Sequence, residues 1–167
     1  MKFLVTIKSV LPAAIGALAL GLGSTSIFAA TVTTTFQVTA NVQATCQISA
    51  TAAAFGPYTG VVTDTTSIVT VTCSNTATYN IGLNAGLATG ATVTNRSMTG
   101  PASSLLNYGL FQDAAHSINW GDTVGTDTVT GTGDGLAQTV TIFGQVSAGQ
   151  FVQAGPYLDT ITATITF

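Results

Sequence analysis

The sequence predicts an all-β protein, a sandwich of short antiparallel strands, and three observations carry that expectation. Apolar residues recur with a period of two rather than 3.6, between clusters of Gly, Asn, Asp and Pro. Thr, Ala, Val and Gly dominate while only 5% of the residues are charged, a composition that favours sheet over helix. Two cysteines, Cys46 and Cys73, would tie an early strand to a later one, as in an immunoglobulin-like sandwich. A jelly roll or barrel is the alternative, and 167 residues suffice for one domain but not for two good ones.

Residues 1–29 are expected to be an export signal. Lys2 and Lys8 give a positive start, Val10 to Leu22 is almost wholly apolar, and Ser26-Ile27-Phe28-Ala29-Ala30 offers small residues for cleavage. Pro12, Gly16, Gly21 and Gly23 interrupt the apolar run, which falls short of the ~20 residues of a bilayer span, so membrane insertion is not expected. The mature chain keeps Arg96 against six aspartates, a formal balance of minus five. One cation cannot neutralise a row of phosphates, which excludes nucleic acid and anionic membranes as partners. No lysine follows the signal, so lysine–asparagine cross-links cannot hold a polymer together.

Strands are expected at Val32 to Ile48, Ile68 to Cys73, Tyr79 to Leu83, Leu106 to Leu110, Val140 to Val146 and Tyr157 to Phe167. Turns fall at Gly56-Pro57, Asn95-Arg96, Gly100-Pro101, Gly131 to Gly135 and Gly155-Pro156. An even cysteine count in an exported chain implies a disulfide. Cys46 is in phase with Val42, Ala44 and Ile48, and Cys73 with Val69 and Val71, so both thiols should face the core.

The two ends stand out. Val32, Phe36, Val38, Ala40, Val42, Ala44, Cys46 and Ile48 share one parity, with Thr34 breaking the row. Seventeen residues at ~3.3 Å span roughly 56 Å, about three times a typical strand. The economical account assigns Cys46 to Ile48 to this domain and lets Val32 to Val42 add to another sheet. At the other end Tyr157, Asp159, Ile161, Ala163, Ile165 and Phe167 alternate with Leu158 and four threonines, and the sequence stops within that pattern. A closing strand beside it would be expected to cover such an apolar edge. Pattern alone leaves a second reading open, in which the N-terminal segment folds back and fills its own domain's edge.

Candidate sites are few. No glutamate and no Gly-x-Ser-x-Gly element is present, and no catalytic residue is assigned. His116, with Asp113 and Asp122 near it in sequence, is expected to be a solvated loop residue. The run from Gly121 to Asp127, continuing through Gly131 to Gly135, faintly resembles calcium-binding repeats but lacks their period, and turn chemistry explains it more simply. No metal or other cofactor is expected. Trp120 is expected in the core, and Arg96 to pair with an aspartate within the domain or across a subunit joint.

A resemblance sharpens this reading. It is carried by Phe36-Gln37-Val38 with Cys46, Phe55-Gly56-Pro57-Tyr58, Val71-Thr72-Cys73, and Tyr79-Asn80-Ile81-Gly82-Leu83. It continues through Arg96 with Met98, Leu106-Asn107-Tyr108 with Leu110 and Asp113, Trp120-Gly121, Gly131-Thr132-Gly133, Gly144 and Gly155-Pro156-Tyr157-Leu158-Asp159. From Phe36 onward the chain resembles the spore coat protein U domain family, which includes pilins of archaic (Csu-type) chaperone-usher fimbriae. Phe111 departs from the pattern, where a tyrosine is expected. The resemblance implies an incomplete immunoglobulin-like sandwich completed by donor-strand exchange. Residues 30–43 would be the donor strand, with Val32, Phe36, Val38, Ala40 and Val42 inward, and residues 44–167 the pilin domain. Ile161, Ala163, Ile165 and Phe167 of the last strand would face the acceptor groove or a chaperone. The implied partners are other copies or related pilins, a periplasmic chaperone and an outer-membrane usher. The implied product is an extracellular fimbrium for attachment and biofilm formation. The competing reading is a self-complemented secreted coat or ligand-binding sandwich.

Overall fold

The computed structural model describes residues 29–167, so all but the last residue of the expected export signal lies outside the described residues. Residues 29–40 and the unit Asn41–Phe167 are separate bodies.

The unit from Asn41 onward is all-β. Its strands are β1 (Cys46–Ala50), β2 (Thr63–Cys73), β3 (Thr78–Leu83), β4 (Arg96–Thr99), β5 (Leu105–Phe111), β6 (Val129–Thr132), β7 (Ala137–Val146) and β8 (Ala163–Thr166). One sheet has the order β1-β2-β7-β5-β4 and the other β6-β3-β8, with every ladder antiparallel. In an immunoglobulin sandwich strands A, B, E and D form one sheet and C, F and G the other. Here β1, β2, β7 and β5 take the first four places, β3 and β8 take C and F, and β4 and β6 extend the edges. Among the described residues β8 pairs with β3 alone and β1 with β2 alone, so the side of β8 where strand G would lie is an open edge.

The core follows from the period-two pattern. Val69, Val71 and Cys73 of β2 point inward with Tyr79, Ile81 and Leu83 of β3, Leu106, Tyr108 and Leu110 of β5, and Ile142 and Val146 of β7. Trp120 is fully buried among them, as its sequence context suggested, and its indole Nε1–H donates to the Ile81 carbonyl at 2.8 Å. At Gly131 any side chain would collide with the Tyr79 ring, and this close approach requires glycine.

Cys46 and Cys73 form the expected disulfide, and their phase is as read: Cys73 is buried and Cys46 packs against the core. The bond differs from the inter-sheet disulfide of antibody domains, because Cys46 and Cys73 are opposite partners on neighbouring strands of one sheet.

Several strand limits differ from those expected. The ladder of β1 begins at Cys46, where β2 ends. Beyond it the Ser74 N–H donates to the Thr45 carbonyl at 2.9 Å and the Thr45 N–H to Ser74 Oγ at 3.0 Å, and residues 29–45 form no strand. β2 begins at Thr63 instead of Ile68, because Thr63 to Ser67 pair with Val146 to Ile142 of β7. The expected turn at Asn95-Arg96 lies at Val93-Thr94, and Arg96 opens β4. Of Tyr157 to Phe167, only Ala163–Thr166 is strand. Leu158 makes an isolated bridge to Thr99 of β4 before the chain crosses to β3.

Replacing both cysteines by serine should lower unfolding stability by about 3–4 kcal/mol, the loop-closure value for a separation of 27 residues. A urea titration followed by the fluorescence of Trp120, the sole tryptophan, should show it as a lower midpoint.

Candidate functional site

A long apolar groove in the unit 41–167 runs on from the ends of β1 and β8, each of which has a ladder partner on one side alone among the described residues. Its first hollow, of about 400 Å³, has a floor of Leu83, Tyr108, Leu110 and Ile142. One wall is the end of β1 and its continuation, Ala50 to Ala53 with Phe55; the other is Tyr157 to Ile161 with Ala163. The groove continues into a second hollow, of about 800 Å³, between Ala53 to Gly60 and Gln150 to Leu158. One wall runs from Ala50 up to Gly60 as the other runs from Ala163 down to Gln150, so the walls are antiparallel.

The second wall is tethered by Asp159. Tyr108 Oη donates to its Oδ2 at 2.7 Å, and the Leu87 and Thr160 amides donate to Oδ1 at 2.8 and 2.7 Å. Gly86, at φ +86°, passes so close to this carboxylate that a side chain there would strike it. Burial, with Asp159 as the acceptor, pushes the Tyr108 phenol well above its ordinary value, so it remains a donor throughout the physiological range.

Arg96 lies beside this tether, directly across the ladder from Tyr108. It is fully buried, yet none of its hydrogen bonds goes to an aspartate, which corrects the expected ion pair. Nε donates to Asn84 O at 2.8 Å, Nη1 to Val93 O at 2.6 Å, and Nη2 to Leu83 O at 2.8 Å and Trp120 O at 2.7 Å. Burial lowers its pKa, opposed by Tyr108, Asp122, Asp127 and Asp159. One guanidinium thereby pins the end of β3, the 84–95 loop and the Trp120 loop behind the groove.

The residues expected in the acceptor wall divide. Ile161 and Ala163 line the groove, Ile165 packs against the core, and Phe167 is 58% exposed. The donor candidates are exposed: Val32 by 94%, Phe36 by 84%, Val38 by 84% and Val42 by 89%, with Ala40 exposed as well. Sequence reasoning missed the wall of Ala50, Thr51, Ala52 and Ala53 and the Tyr108–Asp159 tether. Alanines carry little periodic signal, and the two ends of the tether are 51 residues apart.

His116 is mostly covered instead of solvated, packed edge-on against Phe111, with Gln145 at 3.2 Å and Asp64 at 3.9 Å. Asp113 accepts from the Ile118 and Ser117 amides and the Ser117 hydroxyl, and these bonds hold its carboxyl below its ordinary value. In the glycine-rich stretches Asp127 accepts from the Thr123 amide and Asp134 from the Leu136 amide, which is turn chemistry. Among the described residues no group of three or more His, Cys, Asp or Glu could hold a metal ion, and no helix is long and apolar enough to cross a membrane.

Comparison with known proteins places this geometry. The family model of the Spore Coat Protein U domain matches residues 32–164. The chain belongs to the spore coat protein U domain family. Within that setting it is 35% identical over 156 residues to Protein U of Myxococcus xanthus, covering 83% of this chain and 87% of that one. Among solved structures it is similar to the CsuC-CsuE chaperone-tip adhesion subunit pre-assembly complex from archaic chaperone-usher Csu pili of Acinetobacter baumannii. That likeness has a TM-score of 0.56 at 23% identity and covers 75% of this chain and 40% of the other. It shows a shared fold.

Tyr108→Phe removes the tether and leaves a carboxylate with one donor fewer, at a cost of roughly 1.5–3 kcal/mol for a charge-assisted bond. The readout is a lower urea midpoint together with faster hydrogen exchange at the Leu87 and Thr160 amides.

Proposed function

We propose that this protein is a structural fimbrial subunit that polymerises by donor-strand exchange into a surface pilus serving attachment and biofilm formation. The observation that carries the reading is the apolar groove that runs on from the ends of β1 and β8, two strands each with a ladder partner on one side alone among the described residues. An N-terminal segment with an exposed apolar row of one parity is the complementary part. Family membership and the shared fold with a pilus subunit complex support the same reading.

In this reading the chain passes through the periplasm, where a chaperone covers the groove, and an outer-membrane usher exchanges the chaperone's strand for the segment of the next subunit. Each large apolar side chain inserted contributes roughly 1.5–3 kcal/mol, and four or five enter together with a ladder of backbone bonds. The joint therefore opens very slowly. Left uncovered, the same groove invites aggregation, which is why a chaperone is required. The function is mechanical, and no catalytic residue is assigned.

Deleting Val32 to Val42 should abolish SDS-resistant polymers when chaperone and usher are co-expressed. Intact polymers from the deletion would overturn the donor-strand reading, and a soluble, cooperatively melting monomer purified without any chaperone would favour the self-complemented sandwich. A milder variant, Val38→Asp, should leave the disulfide-bonded body folded while assembly falls, because its charge would enter the neighbour's groove unpaired. Undiminished polymer yield from it would refute the assignment of the inward face.

A further inference from the structure

We propose that the donor strand enters the groove in one register, antiparallel to β8, with Phe36 of one copy seated over Ala163 of the next. This inference rests on the donor-strand reading above and names the side-chain pairing that would decide which subunits fit one another.

Backbone geometry comes first. Thr162 O accepts from the Asn84 amide at 3.1 Å, and Gly82 and Asn80 pair with Thr164 and Thr166. The even-numbered residues of this stretch therefore turn their backbone groups toward β3. By strand alternation Ile161, Ala163 and Ile165 turn theirs to the open side, where an added strand would find them. Their side chains are the ones half-buried over the core. Every ladder in the protein is antiparallel, and antiparallel pairing is slightly the more stable per residue.

Parity then removes half of the registers. The donor's apolar row is even-numbered and the acceptor's inward row odd-numbered, so a slip of one residue would turn the whole apolar row outward. Only registers two residues apart compete. Residues 32–42 and 157–167 have equal lengths, and matching them end to end sets Thr34 against Ile165, Phe36 against Ala163, Val38 against Ile161 and Ala40 against Asp159.

Size and polarity favour that register over its neighbours. The largest donor side chain meets the smallest acceptor side chain, over a hollow of about 400 Å³ whose facing wall is the small-residue stretch Ala50-Thr51-Ala52-Ala53. The smallest donor side chain meets the carboxylate held by Tyr108. Thr34 lies against Ile165, which is not among the residues lining that hollow. A shift of two residues one way brings Phe36 onto Ile161 and Val38 onto the Asp159 carboxylate. A shift the other way brings Phe36 onto Ile165 and Val42 onto the carboxylate. Either move sets a branched apolar side chain against a charge and leaves the hollow poorly filled.

The test is disulfide trapping in the full chain, co-expressed with chaperone and usher. Phe36→Cys is combined in turn with Ile161→Cys, Ala163→Cys or Ile165→Cys. Directly opposed residues in a hydrogen-bonded antiparallel pair sit about 5.5 Å apart at Cα, within disulfide reach, whereas neighbours two positions away do not. A ladder of covalent oligomers on a non-reducing denaturing gel from the 36/163 pair, and not from the other two, is the expected result. A ladder from 36/161 or 36/165 instead overturns the register while keeping strand exchange. Cross-linked monomers, or no cross-link from any pair, overturn both. As a second measurement, Ala163→Phe should cut polymer yield about tenfold or more by overfilling the hollow. Phe36→Ala in the same chain should restore it. Failure of that rescue, with the Ala163→Phe subunit still folded, also overturns the pairing.

Discussion

A strand edge that faces another across an apolar gap, with its amides and carbonyls unpaired, is the constraint on which the rest of this structure depends. β8 is held from one side by β3, and β1 from one side by β2. Backbone groups taken from water must find partners, and the apolar floor of Leu83, Leu110 and Ile142 makes this a place where water serves poorly. What the groove accepts is therefore specified closely: an extended backbone for the edges and apolar side chains on one face for the floor. A long polar ligand would meet one requirement, and a compact apolar one the other.

Holding such a groove open demands a stiff frame behind it, and the frame is polar where the groove is not. Arg96 gathers four carbonyl oxygens from three separate stretches of chain, satisfying acceptors that the loops leave inside the protein. A buried cation without a carboxylate is tolerable because its donors are used and because three aspartates and Tyr108 favour its charge at longer range. Tyr108 then links this frame to Asp159 on the groove wall. Among residues 29–167 Arg96 is the single Lys or Arg side chain, and it is spent on architecture.

How much of this was legible in the sequence depended on the kind of signal each part leaves. Cys46 and Cys73 could be placed on the inner face from phase alone, and so could Val69 and Val71, because burial on one face of a strand writes a period of two. Thr63 to Ser67 escaped notice because threonine and serine serve either face, so alternation there is silent. β4 and β6 are four residues each and begin or end at turn-forming residues, which concealed them. The wall of small residues at 50–53 is defined by what it leaves unfilled, and a missing volume has no sequence period. Arg96 showed its charge but not its acceptors, since carbonyl oxygens belong to every residue. His116 read as solvated because its neighbours Asp64 and Gln145 come from β2 and β7, far away along the chain.

The place of the disulfide has a consequence for load. It joins the first residue of β1 to the last residue of β2, at the end of the ladder where the chain arrives from residues 41–45. Tension entering there would otherwise part the β1–β2 bonds one after another, since an antiparallel pair pulled from its end opens like a zip. The covalent rung intercepts that force and delivers it to β2, an eleven-residue strand secured on both sides by β1 and β7. Force applied at Cys46 is thus passed into the interior of the sheet and is not borne by the β1–β2 hydrogen bonds alone.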